Sequence, residues 1–277
     1  MGESRYSWSK LLLEIMAIAL ALVFLIPFYF VAVNSVKSFA EILMHTISWP
    51  KEFVFSNYAA AWEQIQFASA FRNSLLVTFF SNLGLIIISS MAAWKMARTK
   101  RKANQILFFI FVSAMVIPFQ SLMIPLVKWG NTLGLIDTIY GLVIMYFGFG
   151  VSLNLFLYHG FVKSVPLEIE ESAIVDGCNP MRLFWSIVFP LLKPITVTII
   201  ILNSLWIWND FMLPLLILHS PEYLTIPLVI SKLFDQFMNK WDLALPAMVM
   251  SVTPVILLYL VLQRYIIQGI TAGALKG

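Results

Sequence analysis

Five acids mark where this sequence could do chemistry. Glu168, Glu170, Glu171 and Asp176 crowd into one hydrophilic stretch, and Asp210 stands with Trp206, Trp208 and Asn209 in an otherwise apolar run. Neither group has the company a reaction centre needs. Cys178 is the one cysteine, which excludes an intramolecular disulfide and a multi-cysteine metal site, and His45, His159 and His219 are too far apart in sequence for zinc-binding spacings. No cofactor is implied. No glycine is followed by lysine, so the phosphate-cradling loop of a nucleotide motor is absent as well. What remains is recognition: acids that orient a docking surface, and an aromatic, amide and carboxylate cluster of the kind that stacks on and hydrogen-bonds sugars. That cluster also admits a structural reading, since polar side chains in apolar spans often bond to neighbouring helices.

The elements that position these residues follow from composition. Of 277 residues, 60% are hydrophobic and 12% charged, against roughly 25% charged in soluble domains. Mean hydropathy is +0.87. Such a chain cannot cover a water-facing surface, so it is read as an integral membrane protein in contact with the lipid bilayer. Crossing a core of about 30 Å takes about 20 apolar residues, and six stretches qualify: 11–33, 74–96, 106–127, 140–161, 195–218 and 243–263. Pro118 and Pro125 should bend the third. The first is too long for a cleaved signal peptide. Residues 1–10 form a short N-terminus, and the transmembrane domain takes up 11–277.

Six crossings put both termini on one side. If that side is the cytoplasm, it holds Arg5, Lys10, Lys95, Arg98, Lys100, Arg101, Lys102, Lys163, Arg182, Lys193, Arg264 and Lys276, twelve of the eighteen basic residues. The excess is the positive-inside bias. The net charge of +4 therefore reports topology, and nucleic acid is not an expected partner. The connection 34–73, with Trp49, Pro50, Tyr58 and Trp62, falls outside, where it packs as a small cap or lies at headgroup depth.

The inner connection 162–194 carries the four clustered acids. Ser164 to Gly177 reads as a helix capped by Ser164, with Pro166 in its first turn, acids at its positive end and Gly177 as its stop. Val165, Ile169 and Ala173 form its apolar stripe. A second short helix starts at Asn179 and Pro180 and runs through Phe184 and Ile187 towards Pro190. The two make a knuckle suited to a groove on a soluble partner. The alternative, a hairpin lying on the membrane, fits poorly with four acids against an anionic leaflet.

The run Glu171, Ser172, Ala173, Asp176, Gly177, with Ile187, Phe189 and Pro190 further on, resembles the Glu-Ala-Ala loop of binding-protein-dependent ABC importer permeases; Ser172 stands where alanine is usual and Phe189 where leucine is. Asn57 and Tyr58, Asn73 and Ser74, Leu133 to Thr138, Trp208 to Phe211 and the tail from Gln263 to Gly277 are similar to the maltose-type carbohydrate permeases, the smaller of their two subunits in particular. The resemblance implies an all-α, six-helix type I permease with a MetI-like transmembrane domain and a cytoplasmic coupling-helix loop. It also implies the partners: a second, larger permease, two copies of a cytoplasmic ABC ATPase and an extracytoplasmic solute-binding protein. Hydrolysis would then reside on another chain, and the localisation would be a bacterial or archaeal cell membrane. The coupling residues would be Glu170, Glu171, Ser172, Ala173, Asp176, Gly177, Ile187 and Pro190, while Trp206, Trp208, Asn209 and Asp210 are candidates for the translocation pathway. The expected cargo is a di- or oligosaccharide. A monosaccharide or a glycerol-phosphate type of solute is the alternative. An ion-coupled secondary transporter, which would use several intramembrane ionisable groups and inverted repeats, is disfavoured because neither is evident.

Overall fold

A chain that cannot satisfy its backbone with water inside a membrane must do so within helices, and helices are what the computed structural model shows. It describes residues 8–236 and 240–274, the side chains of 9, 235–236 and 262–274 excepted. Arg5 and Lys276, and the side chains of Arg264 and the rest of the tail, lie outside that description. No strand occurs among the described residues. In chain order the helices are α1 (Trp8–Asn34), α2 (Phe39–Met44), α3 (Ser56–Gln64), α4 (Phe67–Arg98), α5 (Lys102–Ala114), α6 (Phe119–Thr132) and α7 (Ile139–Val162). They continue with α8 (Leu167–Val175), α9 (Pro180–Leu183), a π-helical turn (Phe184–Val188), α10 (Phe189–Leu191) and α11 (Lys193–Asn209). Last come α12 (Met212–Ile217), a 3-10 turn (Pro221–Tyr223), α13 (Ile226–Gln236) and α14 (Trp241–Ala274).

Among the described residues, four helices are long and apolar enough to cross a membrane unbroken, within Lys10–Asn34, Phe67–Arg98, Ile139–Val162 and Trp241–Val261. Two more crossings arise if each bent pair counts as one: α5 with α6, bent by 104°, and Pro180–Leu191 with α11, bent by 75°. The first bend is sharper than the kinked single span expected over 106–127. Pro118 stands as the N-cap of α6 with ψ at 135°, and a proline also disfavours helical backbone at the residue before it, so the helix stops rather than curves. Pro125 is accommodated inside α6. The expected span 195–218 is likewise not one rod. Asp210 adopts extended backbone, ψ 127°, and ends α11 before α12 begins.

The residues fall into two units, Met1–Phe67 with Ile230–Val252, and Ala68–Val229 with Thr253–Gly277. In the first, the connection after α1 folds around a buried lysine. The Lys37 ammonium donates to Asn34 Oδ1 at 3.0 Å and to the carbonyl of His45 at 2.8 Å, and the Lys37 carbonyl accepts from Asn57 Nδ2 at 2.7 Å. Burial pulls the Lys37 pKa below the ordinary lysine value, with the nearby Glu41 charge opposing. Tyr58 shares a 2.7 Å hydrogen bond with Ser35, and Trp62 packs on Phe67 with ring centroids 4.8 Å apart.

In the second unit α4 and α7 approach closely. A Cβ on Gly150 would lie 2.6 Å from Leu85, and Leu85 is fully buried. Small residues of this kind let membrane helices touch along their backbones. Further along α7, Leu155 and Tyr158 form a fully buried core with Phe184, Val188 and Ile199. Polar bonds stitch it together: Tyr158 donates to Thr196 at 3.0 Å and Asn82 to Ser204 at 3.2 Å.

Gly150→Val should overpack this seam, at a cost of about 1–3 kcal/mol, and lower the thermal midpoint in detergent. Adding Leu85→Ala should restore most of the loss. A single variant that unfolds at the wild-type temperature would contradict the close approach.

Candidate coupling site

The knuckle is assembled by local rules. Ser164 donates to the Phe161 carbonyl at 2.8 Å, so it closes the end of α7 instead of capping the next helix, and α8 begins two residues later than expected, with Pro166 as its N-cap. Its far end has the geometry that requires glycine. Gly177 sits at φ +81°, its N–H donates to the Ile174 carbonyl and that of Cys178 reaches back to Ala173, each at 3.0 Å. This paired closure needs a left-handed residue. Asn179 then caps α9, accepting from the Arg182 N–H at 2.9 Å.

The resulting hairpin has an inward and an outward face. Inward point Val165, Glu170 and Ala173, all buried. The stripe expected through Ile169 is rotated: Ile169 is 39% exposed, and the place on the buried face belongs to Glu170. That carboxylate is held on both oxygens, Oε1 accepting from Arg98 Nε at 2.8 Å and Oε2 from Trp94 Nε1 at 2.9 Å. Arg98 Nη2 also donates to the Val165 carbonyl at 2.8 Å. With side chains 18% and 4% exposed, the Arg98–Glu170 pair is shielded from water, where charge-assisted bonds are strong. Leu183, Phe184 and Val188 are buried on the second arm, Phe184 packing on Trp94 at 5.3 Å. Ile187 is half-buried against this core and Pro190 is exposed.

Outward point Glu168, Glu171, Ser172, Asp176 and Gly177. Beside them Ile174, Val175 and Met181 expose 57%, 86% and 58% of their surface. An apolar tip rimmed by acids has the composition of a helix-in-groove contact. The sequence reading missed both halves of this arrangement. Ile174, Val175 and Met181 flank Gly177 and could have been noticed as apolar residues at a turn. Trp94 and Arg98 had no such signal, since Arg98 belongs to a basic run and its partner is 72 residues away.

The four pathway candidates do not form one cluster. Trp206 and Asp210 line a cavity of about 330 Å³ with Met115, Phe119, Phe149 and Met212, where the breaks in the α5/α6 and α11/α12 pairs meet. Asp210 Oδ2 accepts from the Tyr146 hydroxyl at 2.9 Å, and Oδ1 from the Met212 N–H at 3.0 Å, capping α12. Trp208 turns the other way, edge-on to Phe71 at 5.8 Å, and lines a separate cavity of about 400 Å³ with Thr78, Asn82 and Ser204. Asn209 donates back to Leu205 of its own helix. The far end of α12 is tied by a second aspartate: Asp137 donates its N–H to the Ile217 carbonyl, and its carboxylate accepts from the N–H groups of His219 and Ser220 and from the Ser220 hydroxyl. The Ser220 bonds first, then that from His219, hold the Asp137 pKa below its ordinary value.

The family described as binding-protein-dependent transport system inner membrane component matches residues 84–272. The chain is 42% identical to the probable starch degradation products transport system permease protein AmyC of Thermoanaerobacterium thermosulfurigenes, over 96% of this chain and 97% of that protein. It is 34% identical to the melibiose/raffinose/stachyose import permease protein MelC of Bacillus subtilis, over 97% and 98%. Among solved structures, a bacterial ABC transporter that imports the acidic polysaccharide alginate superposes with a TM-score of 0.83 at 24% identity, covering 95% of this chain and 99% of that one.

Two outcomes test the geometry. Glu170→Ala removes the counter-charge of Arg98 and the acceptor of Trp94 and should cost about 3 kcal/mol, whereas exposed Glu171→Ala should stay within about 0.5 kcal/mol; thermal unfolding of the two variants that agreed would refute the brace. The depressed Asp137 pKa makes its tether fully effective above the unfolded carboxylate value of about 3.9 and lost as pH falls through the lower folded value. The stability gap between wild type and Asp137→Asn should therefore be constant from neutral pH to about 5 and shrink below about 4.

Proposed function

The chain belongs to the family of binding-protein-dependent transport system inner membrane components, and on that premise we propose that it is one of two permease subunits of an ATP-driven importer for an oligosaccharide. Support for the cargo comes from the relatives, whose names specify starch degradation products and melibiose, raffinose or stachyose. The sugar is delivered by an extracytoplasmic solute-binding protein and passes between this subunit and a second, larger one. Two copies of a cytoplasmic ATPase supply the energy, in keeping with the lack of a Gly-Lys pair in this chain. Both termini and the knuckle face the cytoplasm of a bacterial or archaeal cell, following the basic residues.

The observation that carries this reading is the two-faced knuckle. Its tip of Ile174, Val175 and Met181, with Glu171 and Asp176 beside it, is free to enter a cleft of the ATPase. Its root is fixed to α4 by Glu170, Arg98 and Trp94 and to the core by Phe184. A push on the tip therefore moves the spans as a rigid body instead of bending the loop. Glu171, Ser172, Asp176 and Gly177 act at the contact. Glu170, Ala173 and Ile187 transmit from it, and Pro190 lies at the end that leads into α11. Of the pathway candidates, Trp206 and Asp210 line the cavity that a sugar would cross, while Trp208 and Asn209 support the scaffold.

Gly177→Pro cannot adopt positive φ and loses the N–H that closes the helix, and Glu171→Lys reverses a contact charge. Both variants should reach the membrane but show ATP hydrolysis without sugar uptake in proteoliposomes; uptake at the wild-type rate by Gly177→Pro would sink the assignment. Asp210→Asn should assemble normally and shift the affinity for sugar in uptake assays. Loss of assembly would instead place Asp210 in the scaffold alone.

A further inference from the structure

The connection after α1 carries a surface that the transport reading leaves unused. Three consecutive carbonyls are pinned at the C-terminal end of that helix or just beyond it: Thr46 accepts from Asn34 Nδ2 at 2.9 Å and Ile47 from the Tyr29 hydroxyl at 3.2 Å, both donors lying on α1, and His45 from the Lys37 ammonium, three residues past its end, at 2.8 Å. The Tyr29 contact sets depth. Helical side chains lean back towards their N-terminus, so the Tyr29 hydroxyl reaches no further out than its own Cα, and the chain at Ile47 has come back alongside the helix by more than a turn. Tyr29 is nineteen residues from Lys10, roughly 28 Å along the axis at about 1.5 Å per residue. That distance nearly matches the roughly 30 Å of a bilayer's hydrocarbon core. Ile47 is thereby held at the boundary between acyl chains and headgroups.

The side chains displayed there suit that boundary. Ile47, Trp49, Phe53 and Phe55 are 80%, 65%, 52% and 66% exposed. The rings form one continuous patch, Trp49 edge-on to Phe53 at 6.2 Å and Phe53 stacked on Phe55 at 6.0 Å with 13° between planes. Lys51 and Glu52, both exposed, stand between the aromatics, and the turn is held by the Lys51 N–H donating to Glu41 Oε1 at 2.8 Å. Aromatic residues with polar neighbours concentrate at headgroup depth in membrane proteins. The segment meets α1 at the Tyr29–Ile47 contact, and the most apolar stretch of that helix has no residue buried inside the chain.

We propose that residues 47–55 form an interfacial anchor whose aromatic patch inserts into the leaflet at the C-terminal end of α1, its occupant being lipid rather than another subunit. The anchor fixes the height of the first span, and the Lys37 knot is the clamp that holds it.

Site-directed spin labelling tests this. Phe53→Cys, and separately Phe55→Cys, would be placed in a Cys178→Ser background. The full-length chain, purified with its associated subunits and reconstituted in phosphatidylethanolamine and phosphatidylglycerol nanodiscs, would carry the label. Collisional relaxation by oxygen should exceed that by a water-soluble nickel chelate, as at a lipid-embedded position. A label relaxed mainly by nickel would put the patch in water, and one shielded from both reagents would put it under a protein partner; either result overturns the proposal. Using two positions keeps the test decisive if one variant fails to assemble, and the readout does not depend on which solute is carried.

Discussion

A carboxylate withdrawn from water must be met by donors on every side, because an unpaired buried charge costs several kcal/mol. Glu170 is such a group, and much of the second unit is arranged around it. Trp94 and Arg98, one turn apart on α4, close on its two oxygens, and Arg98 also reaches the Val165 carbonyl at the entrance to α8. A helix of nine residues is too short to persist in isolation. It is stable here because one residue of it is tied to a membrane-length helix and its Ala173 lies against the core.

Under the proposed function, the brace lets one small element be both adhesive and stiff. Transmission of force through a loop requires that the loop not yield, and a loop presented to a partner is ordinarily the part that yields first. The knuckle separates the two demands by face. The exposed residues proposed to meet a partner, Ile174, Val175, Met181 and Glu171, contribute little to the interior, and those that anchor the knuckle, Glu170, Ala173 and Phe184, are buried. Gly177 joins the two arms in the one backbone conformation that returns the chain towards the core.

What the sequence discloses follows from the range of each interaction. Helix caps and stops are local, so Asn179 and Gly177 could be read directly, and so could the residues that resemble a permease loop. Membrane helices announce themselves by length. The breaks were only half legible: Pro118 signals one through its own geometry, whereas Asp210 gives no warning, since an aspartate within an apolar run looks like a buried charge in a helix until Tyr146 and the Met212 N–H are found around it. Partnerships between distant residues are silent in a single chain. Nothing in the basic run after α4 distinguishes Arg98 from Lys95 or Lys100, and nothing between Asp137 and Ser220 announces that they meet. The helical stripe through Ile169 failed for a related reason: periodicity gives a face, and a strong polar partner can rotate which face is buried.

The discontinuity at Asp210 has a mechanical meaning. α12 is continuous in sequence with α11 but packs on α6 and α7, and Asp137 ties its far end to the segment that leads into α7. α11 also packs on α7, and Asp210 bonds both Tyr146 of α7 and the Met212 N–H, so the two helices turn about a joint that α7 holds from one side. The void bordered by Trp206 and Met212 has one wall on each side of this joint. Its dimensions therefore follow from the angle at which the chain turns between α11 and α12 at the extended backbone of Asp210.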